Sequence, residues 1–278
     1  MAPIDIRRAY AEVRSQFPIA GYMDETGEGE CAISEALVAV APAGGRLLDI
    51  GAGPLVKAAL FARLGFECYA CDDYLDPWHR RENRLEQLQQ FAIESNITLH
   101  VHPVGDYTIP FPAGSFDVVT ICDVIEHLHE SPRDILNAAG RQLRPGGLLL
   151  VTMPNSVNLK KRLKVLAGRS NHVDALAFFR SSGQWRGHVR EYTLAETALV
   201  IKTAGFTVVR AGTFDRAATM KIPSPLARAV YRGLSAMVPT FRDSLLVIAR
   251  KPDGWAELGY SEKVYREALG DSVPAVVR

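Results

Sequence analysis

No stretch of this chain approaches the roughly eighteen consecutive apolar residues that a bilayer-spanning helix needs, and residues 1–8 lack the apolar core of a secretory signal. The expectation is a soluble, cytoplasmic protein with no transmembrane segment. Cysteine is scarce: of four residues, only Cys68 and Cys71 stand in C-x-x-C spacing, with no second pair to complete a zinc site. They fall on a predicted strand, where an odd separation sends side chains to opposite faces, so neither metal nor redox use is expected. Excess charge is also missing. Thirty-two Lys and Arg against 31 Asp and Glu leave +1 at pH 7, which removes long-range attraction to nucleic acid or membrane and leaves such binding to a local patch. Internal repeats and low-complexity segments are absent too. What is present is 278 residues, 47% hydrophobic and 23% charged, enough to bury one sizeable core plus short appendages.

Arg46-Leu-Leu-Asp-Ile-Gly-Ala-Gly-Pro54 reads as an apolar strand that ends in an acid and two close glycines. Some twenty residues later Cys68-Tyr-Ala-Cys-Asp-Asp73 closes a second strand on a carboxylate. Strand, glycine turn, helix (Leu55 to Leu64) and strand describe a βαβ unit that holds the adenosine half of a cofactor. Gly51 and Gly53 stand where a side chain would block both the turn and a ligand lying against the backbone. Asp72 can accept both ribose hydroxyls. A dinucleotide site wants a further glycine three residues on and free amides to hold a pyrophosphate; here that position is Val56, and Pro54 removes one N–H. The loop suits an uncharged or cationic nucleoside, which weighs against a dehydrogenase.

Periodicity predicts helices over Ile4 to Phe17 and Cys31 to Val40. Strands follow near Leu47, Cys68, Leu99, Phe116 to Cys122 and Leu148 to Thr152, with helices near Ala58, Arg81 to Ser95 and Pro132 to Leu143. Near-continuous apolar strands alternating with helices mean a parallel sheet covered on both faces, with Pro145-Gly-Gly147 ending the last helix and starting the fifth strand. Thr193 to Ala204 (helix), Phe206 to Ala211 (strand), Ser224 to Met237 (helix) and Ser244 to Ala249 (strand) complete the sheet. Leu226, Val230, Leu234 and Met237 form a stripe expected to pack on the core. The stretch 154–190 is long for a connection and carries Lys160, Lys161, Arg162, Lys164 and Arg169 without an acid between Asn155 and Val173. Leu159, Leu163 and Leu166 share one face of a helix through it, and it reads either as a helix lying on the domain with its basic side solvated or as a lid or docking surface for an anionic or membrane-bound acceptor, with peripheral membrane contact. The expected organisation is N-terminal helices over 1–45, a cofactor-binding domain over 46–252 that includes this 154–190 insertion, and a tail over 253–278 with a short helix near Glu262 to Leu269.

Leu47-Leu-Asp-Ile-Gly-Ala-Gly53, Cys71-Asp72, Phe111-Pro-Ala-Gly-Ser-Phe-Asp-Val-Val119, Asp123-Val-Ile-Glu-His-Leu128 and Leu143-Arg-Pro-Gly-Gly-Leu-Leu-Leu-Val151 resemble the successive motifs of class I S-adenosylmethionine-dependent methyltransferases, the ubiquinone-biosynthesis O-methyltransferase type and its bacterial relatives above all. The resemblance runs from about Arg46 to Arg250. It implies an α/β, Rossmann-like fold with a seven-stranded, mostly parallel sheet, helices on both faces and the last strand inserted antiparallel beside the fifth. It implies S-adenosylmethionine as donor and S-adenosylhomocysteine as product. Asp49, Gly51 and Gly53 would border the methionine part, Asp72 with Asp73 beside it the ribose, Asp106 the adenine amine, and Cys122 with Asp123 would line the site from the fourth strand. Two departures stand out: Leu55 occupies the usual third glycine of the loop, and the stretch around Asp106 is one residue short.

Methyl transfer from a sulfonium needs alignment and, for a hydroxyl acceptor, removal of a proton. His127 follows the fourth strand and His188 lies in Arg186-Gly-His-Val-Arg-Glu-Tyr192 before the next helix; either is a candidate base. Asp123, Glu126, His127 and His188 also resemble the set that holds magnesium or manganese in some 2′-O-methyltransferases of small RNA, and the ubiquinone-type relatives are linked to divalent metal. The favoured expectation is a histidine base with no metal ligand assigned. The acceptor expected is a small or carrier-linked hydroxyl compound, a sugar or lipid-linked glycan among them. The alternatives are a cofactor-binding regulator without turnover and a metal-dependent RNA 2′-O-methyltransferase.

Overall fold

Two helices, α1 (Ile6–Gln16) and α2 (Glu28–Val38), precede the first strand in the computed structural model, which describes residues 5–41, 44–101, 107–216 and 222–261. Alternation then gives β1 (Arg46–Ile50), α3 (Val56–Arg63), β2 (Glu67–Asp72), α4 (Arg84–Glu94), β3 (Thr98–Val101), β4 (Phe116–Cys122), α5 (Arg133–Gln142) and β5 (Leu143–Pro154). Next come α6 (Leu159–Leu166), α7 (Ala175–Phe179), α8 (Leu194–Thr203), β6 (Thr207–Phe214), α9 (Pro225–Met237) and β7 (Ser244–Arg250). The strands form one seven-stranded sheet in the order β3-β2-β1-β4-β5-β7-β6. β1 to β5 pair in parallel, and β7 enters antiparallel between β5 and β6. The order reverses between β1 and β4, and ligands of open α/β sheets bind outside the carboxyl ends of the strands at such a point.

The strands are apolar throughout because both faces are covered. Leu47, Val118, Leu148, Leu150 and Ile248 join α1 to α4 in one core, while Leu48, Val119, Leu149, Val151 and Val247 join α5 and α8 in the other. Each such side chain contributes about 1.5–3 kcal/mol by leaving water. Cys68 enters the first core and Cys71 the second, and all four cysteines are free. Among the described residues no helix is long and apolar enough to cross a membrane. Trp255, beyond β7, donates its indole N–H to the Ala204 carbonyl at 2.9 Å. Its ring lies where a side chain on Gly140 would stand, so this part of the tail clasps the domain.

Three expectations need correction. β5 starts at Leu143, which pairs with Phe116 before the ladder resumes at Leu148; Pro145-Gly-Gly147 therefore lies within the strand instead of ahead of it. In α9 the expected core stripe faces out: Leu226, Val230 and Met237 are exposed, and Tyr231 and Ser235 are buried in their place. Tyr231 bonds to the Asp215 carboxylate, and that anchor turns the helix by one residue, about 100°. In the insertion, Leu163 and Leu166 form a helix face but leave it in solvent. The helix expected near Glu262 to Leu269 and the adenine contact expected of Asp106 lie outside the described residues.

Candidate active site

β1 delivers Asp49 to the sheet edge at 1% exposure, where it accepts a hydrogen bond from the Thr120 hydroxyl at 2.6 Å. Burial pushes its pKa up to about 6, against the pull of Thr120. The chain then turns. Gly51 has φ +72°, and a side chain there would run into Val124; Gly53 has φ +50° and open space at the missing Cβ, with only the His79 ring 3.8 Å away. Leu55 keeps the left-handed conformation of the glycine it replaces, φ 67°. That strain costs about 1–2 kcal/mol, offset by complete burial of its side chain.

Asp72, at the end of β2, fastens this loop. One oxygen accepts the Gly53 N–H at 2.8 Å and the other the Tyr74 N–H at 2.7 Å. Burial raises its pKa against those two donors. Asp73 accepts the Leu75 N–H at 2.7 Å and faces the Arg186 guanidinium at 3.6 Å. Gly51, Gly53, Asp72, Asp73, Cys122, Asp123 and His127 line one cavity of about 510 Å³, with Tyr22, Lys57, Trp78 and Arg186 on its other sides.

Asp123 follows β4 at φ 60°. Its carboxylate takes Lys57 at 3.1 Å and Arg216. Burial opposes the charge, but Arg216 and Lys57 together hold the carboxyl below the usual range. Both cations sit on Oδ2, Oδ1 is buried without a hydrogen-bond partner, and Asp123 lies outside the group of close ligand atoms, so the four-residue set that the sequence offered as a possible metal site reduces to three. The potential ligand atoms of Glu126, His127 and His188 lie within 4.8 Å of one another.

Each imidazole in this cluster is oriented by its Nδ1. His127 Nδ1 meets the Arg186 carbonyl at 2.8 Å, and His188 Nδ1 meets the Glu191 carboxylate at 2.7 Å. Nδ1–H is the tautomer consistent with both partners, which leaves each Nε2 with a free lone pair. The rings stand edge to face at 4.9 Å. Burial, then the neighbouring His127, pushes His188 down to about 4. Glu126 is 0% exposed and neither carboxylate oxygen has a hydrogen-bond partner; burial and then Asp123 raise its pKa. Its backbone carbonyl accepts the N–H groups of Val189 (2.7 Å) and Arg190 (3.2 Å), which pins the His188 segment against the turn after β4.

Residues 27–211 match the family model of a methyltransferase domain. The chain belongs to that family. With the Asp72-fastened glycine loop, it is a class I S-adenosylmethionine-dependent methyltransferase domain. Among curated proteins it is 33% identical over 123 residues to a ubiquinone biosynthesis O-methyltransferase of Caulobacter sp. (strain K31), covering 44% of each chain. It is 35% identical over 114 residues to the protein of the same name from Xanthomonas axonopodis pv. citri, covering 41% of this chain and 45% of that one. The methyltransferase domain thus aligns with less than half the length of these relatives. The Burkholderia thailandensis 1,6-didemethyltoxoflavin-N1-methyltransferase structure with S-adenosylhomocysteine shares the fold at TM-score 0.52 and 19% identity, over 91% of this chain and 93% of that one. So does the Haemonchus contortus phosphoethanolamine N-methyltransferase 2 structure with S-adenosyl-L-methionine, at 0.52 and 17%, over 91% and 61%.

Lys57, Arg216, Glu191 and Arg186 were not picked out from sequence. Lys57, one turn beyond Gly53 on a helix that starts at the cofactor loop, was within reach of local reasoning. Arg216 meets Asp123 across 93 residues of chain, and no local signal announces it.

Proposed function

We propose that this domain transfers the methyl group of S-adenosylmethionine to a hydroxyl oxygen of a small or carrier-linked acceptor; the basic insertion would suit a phosphorylated sugar or a lipid-linked glycan. The observation that carries this is a cavity lined both by the glycine loop with Asp72 and by His127, whose ring nitrogens cluster with Glu126 and His188. The sulfonium supplies a methyl group with a good leaving group already attached, so alignment and deprotonation are what remain for the protein. Asp72 and the glycine loop fix the nucleoside, Arg186 closes one side, and the cluster receives the acceptor hydroxyl. The relatives named as O-methyltransferases support oxygen as the acceptor atom.

For the cluster, geometry favours a different role from the one expected of the sequence. Neither oxygen of the buried Glu126 carboxylate has a hydrogen-bond partner, and its ion-pair neighbour, His127 Nε2, stands 3.9 Å from Oε1, so a histidine base alone leaves the carboxylate unsatisfied. Two imidazoles fixed through Nδ1 and one bare carboxylate fit a divalent cation. Such a cation would lower the pKa of the acceptor hydroxyl. Glu126, His127 and His188 are its proposed ligands, with Glu191 orienting His188. The second reading keeps the half-buried His127 Nε2 as the base, supported by its place on the cavity wall.

Incubation of a host extract with deuteriomethyl-labelled donor should yield a labelled product whose mass names the acceptor. Binding of donor without turnover across extracts would favour the regulatory alternative. Turnover lost on chelation and restored by manganese or magnesium supports the cation; turnover that survives exhaustive chelation returns the role to a histidine base.

A further inference from the structure

Residues 51–55, the glycine loop, have no amide left for a ligand. The Gly51 and Ala52 N–H groups both bond the Cys71 carbonyl, at 2.8 and 3.2 Å, and the Leu55 N–H bonds the Ala52 carbonyl at 3.0 Å. The Gly53 N–H is taken by Asp72, and Pro54 has none. Beyond β2 the pattern repeats. Tyr74, Leu75 and Trp78 give their amides to the side chains of Asp72, Asp73 and Asp76, and His79 gives its own to the Asp76 carbonyl at 3.0 Å. A ribose hydroxyl both donates and accepts. Asp72 answers its O–H, and the hydroxyl oxygen then needs a hydrogen-bond donor that these amides do not supply.

His79 stands where that donor is needed. It lines the cavity with Gly53 and Asp72, yet is only 9% exposed. Tyr74 and Trp78 meet its ring edge to face, at 5.0 and 5.1 Å, and so fix its plane. Nε2 is the ring atom next to Gly53, 3.8 Å from where a Cβ on that glycine would stand, whereas Nδ1 is buried without a partner. Burial outweighs the pull of Asp72 and lowers the pKa of the imidazole, which is therefore neutral and carries one N–H. An unpaired N–H is rarer in a protein interior than an unpaired acceptor. The lone pair accordingly belongs at Nδ1 and the proton at Nε2, beside the carboxylate that takes the ribose.

We propose that His79 is a cofactor-binding residue whose Nε2–H donates to a ribose hydroxyl oxygen of S-adenosylmethionine, while Asp72 accepts the hydroxyl proton. The inference rests on S-adenosylmethionine as the cofactor and does not depend on which acceptor is methylated. Asp72 alone reads only the O–H of the sugar; the pair reads both polarities of one hydroxyl and so selects ribose over a deoxyribose. A sugar held from two sides is fixed against rotation, and the sulfonium carried on it is aligned for in-line attack.

The test is calorimetry of S-adenosylhomocysteine and of its 2′-deoxy and 3′-deoxy analogues with the wild type, His79→Ala, His79→Asn and His79→Gln. His79→Ala should bind S-adenosylhomocysteine about 3- to 10-fold more weakly, the worth of one neutral hydrogen bond, and the analogue lacking the bonded hydroxyl less than about twofold more weakly. His79→Gln, whose amide nitrogen reaches the Nε2 position, should restore the difference between the two ligands; His79→Asn, whose amide ends at the Nδ1 position, should not. Equal losses for all three ligands in His79→Ala overturn the proposal and make the ring a packing element for Tyr74 and Trp78. Unchanged affinity for S-adenosylhomocysteine overturns it too. If the wild type binds none of the three, the cofactor assignment itself fails and takes this proposal with it.

Discussion

Replacing Glu126 by Leu should raise the stability of the metal-free protein and remove its response to divalent metal. Glu126 is 0% exposed, and both carboxylate oxygens lack a partner. A buried polar group left unsatisfied costs about 1–3 kcal/mol, more if it is charged, and an apolar side chain of similar volume removes that cost. For a domain of this size a gain of 1–2 kcal/mol raises Tm by about 2–6 °C. The wild type, in turn, should gain about 2.7 kcal/mol at a metal concentration of 100 Kd, so its melting curve overtakes that of Glu126→Leu as manganese is added. The assay is thermal unfolding of chelated protein titrated with manganese chloride, with S-adenosylhomocysteine binding as the control for a folded cofactor site. If Glu126→Leu melts at or below the wild-type temperature without metal, the carboxylate is satisfied in solution. If manganese moves neither curve, the cluster does not hold a cation.

Asp72→Ala should weaken S-adenosylmethionine binding at least tenfold by calorimetry, since each hydrogen bond to the carboxylate is worth about 1.5–3 kcal/mol. It should also lower Tm, because the Gly53 and Tyr74 N–H groups lose their acceptor; unchanged binding would sink the cofactor assignment. Asp49→Asn tests a pH dependence. Folding raises the Asp49 pKa to about 6, so the ionised group costs nothing below about pH 4 and its full penalty, at most ~3 kcal/mol, above that folded value. Denaturant unfolding from pH 4 to 7 should show Asp49→Asn gaining on the wild type up to about pH 6 and running parallel beyond it, and a constant difference across the range refutes the assignment.

The half of the candidate site built on the glycine loop was legible because it is local. Strand, glycines, helix and acid lie within one βαβ unit, and the sheet edge that carries Gly51 also carries Asp72 in the adjacent strand. The rest depends on pairs far apart in the chain. Nothing near Asp123 shows that Arg216 and Lys57 will pair with its Oδ2, or that it lies outside the cluster its spacing suggested. The stripe of α9 was visible, yet its direction was not, because the amphipathic pattern does not say whether Tyr231 finds a polar anchor in the Asp215 carboxylate. β5 began early for a similar reason: its first contact is a tertiary pairing with Phe116, and the Pro-Gly-Gly composition pointed to a turn.

Arg186 touches both His127 and Asp73. The Arg186 carbonyl accepts the His127 Nδ1–H at 2.8 Å, and its guanidinium reaches to 3.6 Å from Asp73, next to the acid that fastens the cofactor loop. Three residues on, the Val189 N–H bonds the Glu126 carbonyl at 2.7 Å. The segment that brings His188 to the cluster is therefore set by main-chain bonds to Glu126 itself and by a cation that bridges to the nucleoside side. Main-chain bonds fix the backbone of the cluster and the Nδ1 bonds orient its two imidazoles without help from a ligand, which is the preorganisation that catalysis by alignment requires. The Arg186 pair with Asp73 is longer and partly exposed, so of the two attachments the main-chain bonds are the ones that fix the segment.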